Sequence, residues 1–127
     1  MSAPLLLLVG ILGGAGALAR YLVDAAVTGR ARRSPSDGRP FPLGILAVNL
    51  SGAFVLGVVV GAAVHGDRYI LVATGLLGSY TTFSTWVFDS HRLATDGRRG
   101  SALLNISASL VLGLLVVWLG RKLGATL

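Results

Sequence analysis

Residues Tyr69 to Phe88 form a run of 20 without a charged side chain, and the middle of that run has the wrong composition for an ordinary apolar helix. The length matches one bilayer crossing, which takes about 20 residues of α-helix. Yet Gly78, Ser79, Thr81, Thr82, Ser84 and Thr85 crowd its centre. Glycine in a helix interior costs about 1 kcal/mol, and each β-branched threonine adds a little. Irregular backbone at membrane depth survives only where protein or a water-filled cavity supplies hydrogen-bond partners. The sequence therefore predicts a helix that breaks near Gly78–Thr82, at mid-bilayer, and lines something polar. Phe83 and Trp86 follow at i, i+3 and share a face of the second half.

The remaining chain has the same character. Hydrophobic residues make up 54% and charged ones 13%, about half the usual charged share, so an all-α membrane protein is expected. Absence of cysteine excludes disulfides and thiolate chemistry. The net charge of +6 sits in arginines between apolar runs, where membrane topology accounts for it without a nucleic-acid partner. No carboxylate pair or catalytic histidine arrangement suggests an enzyme. All five acids are aspartates, and none lies deep within a span.

Four spans are expected, at about 4–27, 41–64, 69–92 and 100–120, in one transmembrane domain. The first is apolar from Pro4 and lacks the preceding positive residue of a signal peptide. Arg20 and Asp24 sit four apart within it; they read either as a pair near the interface or as a vestibule arginine lending positive potential. Gly29 to Arg39 is a solvated loop. The second span holds Asn49, whose amide serves either a helix–helix hydrogen bond or a pore. Gly57 and Gly61 form a close-contact face. His65-Gly-Asp-Arg68 is a short turn, and His65 and His91 read as surface histidines. In the fourth span Asn105, Ser109 and Gly113 share a polar line. A serine there reads either as bonding the carbonyl one turn back or as facing a wet side. Trp118 reads as an interfacial anchor.

The side of loops 1 and 3 carries Arg30, Arg32, Arg33, Arg39, Arg92, Arg98 and Arg99, against Arg68, Arg121 and Lys122 opposite. That bias places loops 1 and 3 in the cytoplasm. Polar residues at mid-depth also call for an oligomer that shields them from lipid.

Three stretches together resemble the Fluc (CrcB) fluoride channel family: Gly14-Ala-Gly-Ala-Leu-Ala-Arg20-Tyr21, Gly44-Ile-Leu-Ala-Val-Asn49-Leu-Ser-Gly52 and Gly75-Leu-Leu-Gly-Ser-Tyr-Thr-Thr-Phe-Ser-Thr-Trp86. The resemblance covers nearly the whole chain. It implies an antiparallel dimer of four-helix subunits in the cell membrane, formed with a second copy or with an oppositely oriented homologue. It further implies passive fluoride export through pores at the subunit interface. Asn49, Phe83, Trp86 and Ser109 map onto the family's pore positions, with Thr82, Ser84 and Thr85 along a polar track and Arg20 at the vestibule. A central Na⁺ would be held by the backbone carbonyls of Gly78 and Thr81. Trp86 stands in place of the family's second phenylalanine, Ile45 in place of a frequent threonine, and Asn105 in place of a frequent tyrosine. Two alternatives are a poorly conducting partner of a paired channel and a small multidrug-type transporter; the absence of glutamate argues against the latter.

Overall fold

The computed structural model describes residues 2–31 and 40–127. Arg32, Arg33 and Arg39, which entered the loop-charge comparison, lie outside the described residues. Helix α1 is Ala3–Ala31 and α2 is Leu43–Gly61. Then come α3 (Gly66–Tyr69), a π-helical stretch Ile70–Leu77, α4 (Gly78–Tyr80), α5 (Phe83–Thr95) and α6 (Arg99–Gly124). No strand occurs among the described residues. Among the described residues three helices are long and apolar enough to cross a membrane, over Ala3–Arg30, Leu43–Gly61 and Arg99–Gly124. The expected third span is not one helix but a succession of shorter pieces from Gly66 to Thr95.

Several boundaries differ from the expected ones. Helix α1 continues through Gly29 and Arg30, which the sequence placed in the loop. Helix α6 likewise includes Arg121 and Lys122. Long cationic side chains extend along a helix and carry their charge outward, so they need not end it. The turn after α2 falls at 62–65, with Ala63 at φ 51, and Gly66-Asp-Arg68 already belongs to α3. The turn between α5 and α6 closes on Gly97 at φ +79, a left-handed conformation that a side chain would strain.

The break sits within the expected window but not at its glycine. Gly78 is helical, at φ −61 and ψ −31. The chain becomes extended at Thr81, with ψ 160, and at Thr82, with φ −147 and ψ 124. Threonine's β-branching suits an extended backbone. Thr82 then starts α5 as its N-cap, its Oγ1 accepting the Thr85 N–H at 3.4 Å.

Backbone contact between helices holds these pieces in place. On α2, Gly57 faces the Val117 carbonyl and Gly61 the Arg121 carbonyl; on α6, Gly120 faces the Phe54 carbonyl and Gly124 the Val58 carbonyl. None of the four positions has room for a methyl group. Small residues are how membrane helices reach such closeness, since lipid gives no hydrophobic drive between them. Helix α1 packs on the π-helical stretch and α4 in the same way. A Cβ on Gly16 would strike the Leu76 carbonyl, and one on Gly75 would lie 3.3 Å from the Val9 carbonyl. Large apolar side chains such as Leu7, Val111 and Leu114 are left on the outside, as in a protein solvated by lipid.

Candidate functional site: a polar cavity at the helix break

The segment Asn49-Leu-Ser-Gly52 of α2 cradles the break. Asn49 Nδ2 donates to the Thr82 carbonyl at 3.0 Å, and the Thr82 N–H donates to Asn49 Oδ1 at 2.9 Å. One amide thus meets both backbone groups of a residue that has left the helix. Ser51 Oγ and the Tyr80 hydroxyl are bonded at 2.8 Å. Gly52 admits the Thr81 methyl and the Tyr80 ring, both of which a larger residue would strike. Three consecutive residues of the broken segment, 80 to 82, are therefore each matched by a residue of α2.

A cavity of about 420 Å³ opens beside this cradle. Asn49, Gly78, Thr81, Thr82, Phe83, Trp86 and Ser109 line it, with Gly52, Ala53, Leu56, Ala73, Leu77 and Leu110 completing the wall. The structure thus brings together Asn49, Thr82, Phe83, Trp86 and Ser109 from the positions singled out in the sequence. Ser84 and Thr85 are not among the lining residues; their hydroxyls lie 3.5 and 3.1 Å from Thr82 Oγ1 instead. Arg20 is also absent from the wall. It forms no ion pair with Asp24 among the described residues, and Asp24 Oδ1 accepts from the Thr28 hydroxyl at 3.0 Å.

Ser109 Oγ is buried and has no hydrogen-bond partner. The expected alternative, a bond to the carbonyl one turn back, is made by its neighbour Ser107, which donates to Leu103 O at 2.8 Å. An unpaired hydroxyl in an apolar setting costs roughly 1–3 kcal/mol, so Ser109 is poised for something that accepts a hydrogen bond. Asn49 adds a second donor, since one of its two amide hydrogens remains after the bond to Thr82. Thr81 contributes less than its position suggests: its N–H and its hydroxyl both go to Leu77 O, each at 3.0 Å.

The two aromatics contact each other, with ring centroids 5.4 Å apart and planes tilted by 60°. Phe83 is 74% exposed. Trp86 is tied to α6 by its indole N–H, which donates to Asn105 O at 3.3 Å. Ser90, which the sequence reading did not single out, takes part in the same junction; its place one turn beyond Trp86 was the available signal.

At the break, carbonyls lose their helical donors. In a continuous helix Gly78 O would accept from the Thr82 N–H and Thr81 O from the Thr85 N–H. Here those donors turn to Asn49 Oδ1 and Thr82 Oγ1. Gly78 and Thr81, which both line the cavity, so lose the helical donors to their carbonyls, and carbonyl oxygens suit a hard cation.

Comparison with known proteins gives a consistent result. Residues 7–121 match the family described as CrcB-like protein, Camphor Resistance (CrcB). The chain is 44% identical over 115 residues to fluoride-specific ion channel FluC 2 of Mycolicibacterium paratuberculosis, covering 91% of this chain and 89% of that protein. It is 44% identical over 111 residues to FluC 2 of Mycobacterium tuberculosis, covering 87% and 83%. It is 41% identical over 122 residues to FluC 1 of Symbiobacterium thermophilum, covering 92% and 94%.

Proposed function

The chain belongs to the CrcB-like family, and from that premise we propose that it conducts fluoride through the cavity at its helix break. It is a multi-pass membrane protein and a fluoride channel. One observation carries the assignment to this site: Ser109, whose buried hydroxyl has no hydrogen-bond partner among the described residues, lines the same cavity as Asn49 and the two aromatic residues. Fluoride is small and strongly hydrated, so a pore must replace the water it sheds. Amide and hydroxyl groups donate hydrogen bonds, and aromatic ring edges carry the positive part of the quadrupole. None of these is a full positive charge, so the ion is held weakly enough to leave. Flow is passive and outward, down the gradient set up when HF enters the cell and dissociates.

The conducting unit in this reading is an antiparallel dimer in the cell membrane. Gly66–Thr95 makes the fourth crossing, with the break at mid-bilayer. Two features support a second subunit: Phe83 stands outside the single chain, and a polar cavity open to lipid would be costly. A Na⁺ ion at the centre, held by the Gly78 and Thr81 carbonyls of each copy, would supply fixed positive charge and tie the two breaks together. Arg20 then lends positive potential to the vestibule, with loops 1 and 3 on the cytoplasmic side.

Efflux from proteoliposomes, read with a fluoride electrode and with chloride as control, tests the function. Fluoride release without matching chloride release is expected; equal rates for the two ions would overturn the reading. Ser109→Ala should slow fluoride efflux by about tenfold, the equivalent of one hydrogen bond to an anion. Since the Ser109 hydroxyl is buried with no partner among the described residues, the same substitution should not destabilise the protein and should raise its stability by up to about 1–3 kcal/mol. Exchange of Na⁺ for a large organic cation during purification should lower both efflux and melting temperature; indifference of both would remove the cation from the picture.

A further inference from the structure

The junction between α5 and α6 is a closed ring of hydrogen bonds. The Trp86 indole N–H donates to Asn105 O at 3.3 Å, Asn105 Nδ2 donates to Ser90 Oγ at 2.9 Å, and Ser90 Oγ donates to Trp86 O at 2.8 Å. Asn105 is 1% exposed and Ser90 6%. The indole bond is the longest of the three, near the outer limit for an N–H donor. It therefore depends on the Asn105–Ser90 bond to bring α5 and α6 close enough, while the Ser90–Trp86 bond, within α5, holds the serine hydroxyl in place to accept from Asn105.

The ring needs that anchorage because it has somewhere else to go. Trp86 is a wall between two cavities. On one side lies the polar cavity; on the other lies an apolar groove of about 490 Å³, lined by Val87, Ala94, Ala102, Leu103 and Ile106. An untied indole could tip toward the groove, or turn its N–H to the ion path. We propose that Asn105 and Ser90 are positioning residues for Trp86: they withdraw its N–H from the ion path, so that the ring meets fluoride only with its carbon-bound edge. This inference rests on the fluoride-channel reading and explains how a tryptophan can serve there. A free indole N–H is a strong, directional donor and would retain an anion that must leave quickly.

The test uses the full-length channel carrying Trp118→Phe, which leaves Trp86 as the single tryptophan. In this protein the Trp86 indole ¹H–¹⁵N resonance should not move as fluoride is added. In Asn105→Leu and in Ser90→Ala it should move with fluoride. Efflux from proteoliposomes should fall by about tenfold to a hundredfold in both variants, the retardation expected from one added hydrogen bond to an anion. When combined with Trp86→Phe, which has no N–H to release, the same substitutions should change efflux less than twofold relative to Trp86→Phe alone. An equal loss in that background would mean that the ring of bonds merely joins two helices, and the proposal would fall. So would an indole resonance that already follows fluoride before substitution. A parent protein that passes no fluoride would instead overturn the channel reading, and with it the claimed effect on efflux.

Discussion

Asn49→Leu is expected to reduce fluoride efflux to the level of protein-free vesicles. Leucine has similar volume but no polar atom, so the Thr82 N–H and carbonyl both lose the partner they now have at 2.9 and 3.0 Å. Each orphaned group costs about 1–3 kcal/mol, giving a total of about 2–6 kcal/mol. The chain's recourse is to move residues 81 and 82 back toward a helix. That would return the Thr82 N–H to Gly78 O and close the cavity wall. Efflux by fluoride electrode and thermal unfolding in detergent should both report the change. A leucine variant with parental efflux would show that the break is held by something other than α2.

Gly120→Val should leave little folded protein. The glycine's neighbour is the Phe54 carbonyl of α2, a backbone atom that cannot swing aside. Overpacking a close-packed site costs about 1–3 kcal/mol and sometimes more; here relief requires separating α2 from α6 along their length. Gly113 lies two turns earlier on the same helix, and a Cβ there would meet nothing within 4 Å among the described residues. Gly113→Val should therefore keep its folding within about 0.5 kcal/mol. The yield of monodisperse protein on gel filtration separates the two. Equal yields would mean that the glycine seam does not set the helix spacing.

The break could be read locally because its polar atoms had no business at bilayer depth. Its position was less legible. Gly78 drew attention as the flexible residue, yet the chain turns extended at Thr81–Thr82 because Asn49, 33 residues away, bonds there. No local pattern announces a partner that distant. The Gly57–Gly61 face was visible, and Gly120 and Gly124 have the same spacing, but only packing reveals that the two faces meet. The polar line Asn105–Ser109–Gly113 looked like one face with one role. It divides into a junction with Ser90, a cavity-lining serine with a buried hydroxyl and an open glycine. Arg20 and Asp24 had the spacing of a pair, but Thr28, also one turn away, takes the carboxylate. Between two candidates at equal spacing, sequence offers no means of choosing.

The stretch Ile70–Leu77 could not be foreseen, because residues apolar on every side carry no periodicity. It buries Gly75 and Leu77. Such a segment holds more chain per turn than a standard helix of the same height. It is thus a place where one residue can be lost and the helix still close. A deletion taken up by narrowing these turns to α-helical ones would leave Ser79 and Tyr80 facing α1 and α2 nearly as before. Loss of one residue here would thus spare both the membrane crossing and the alignment of the break beyond it, so natural sequences of this kind should differ in length by a residue in this segment while keeping the break itself in place.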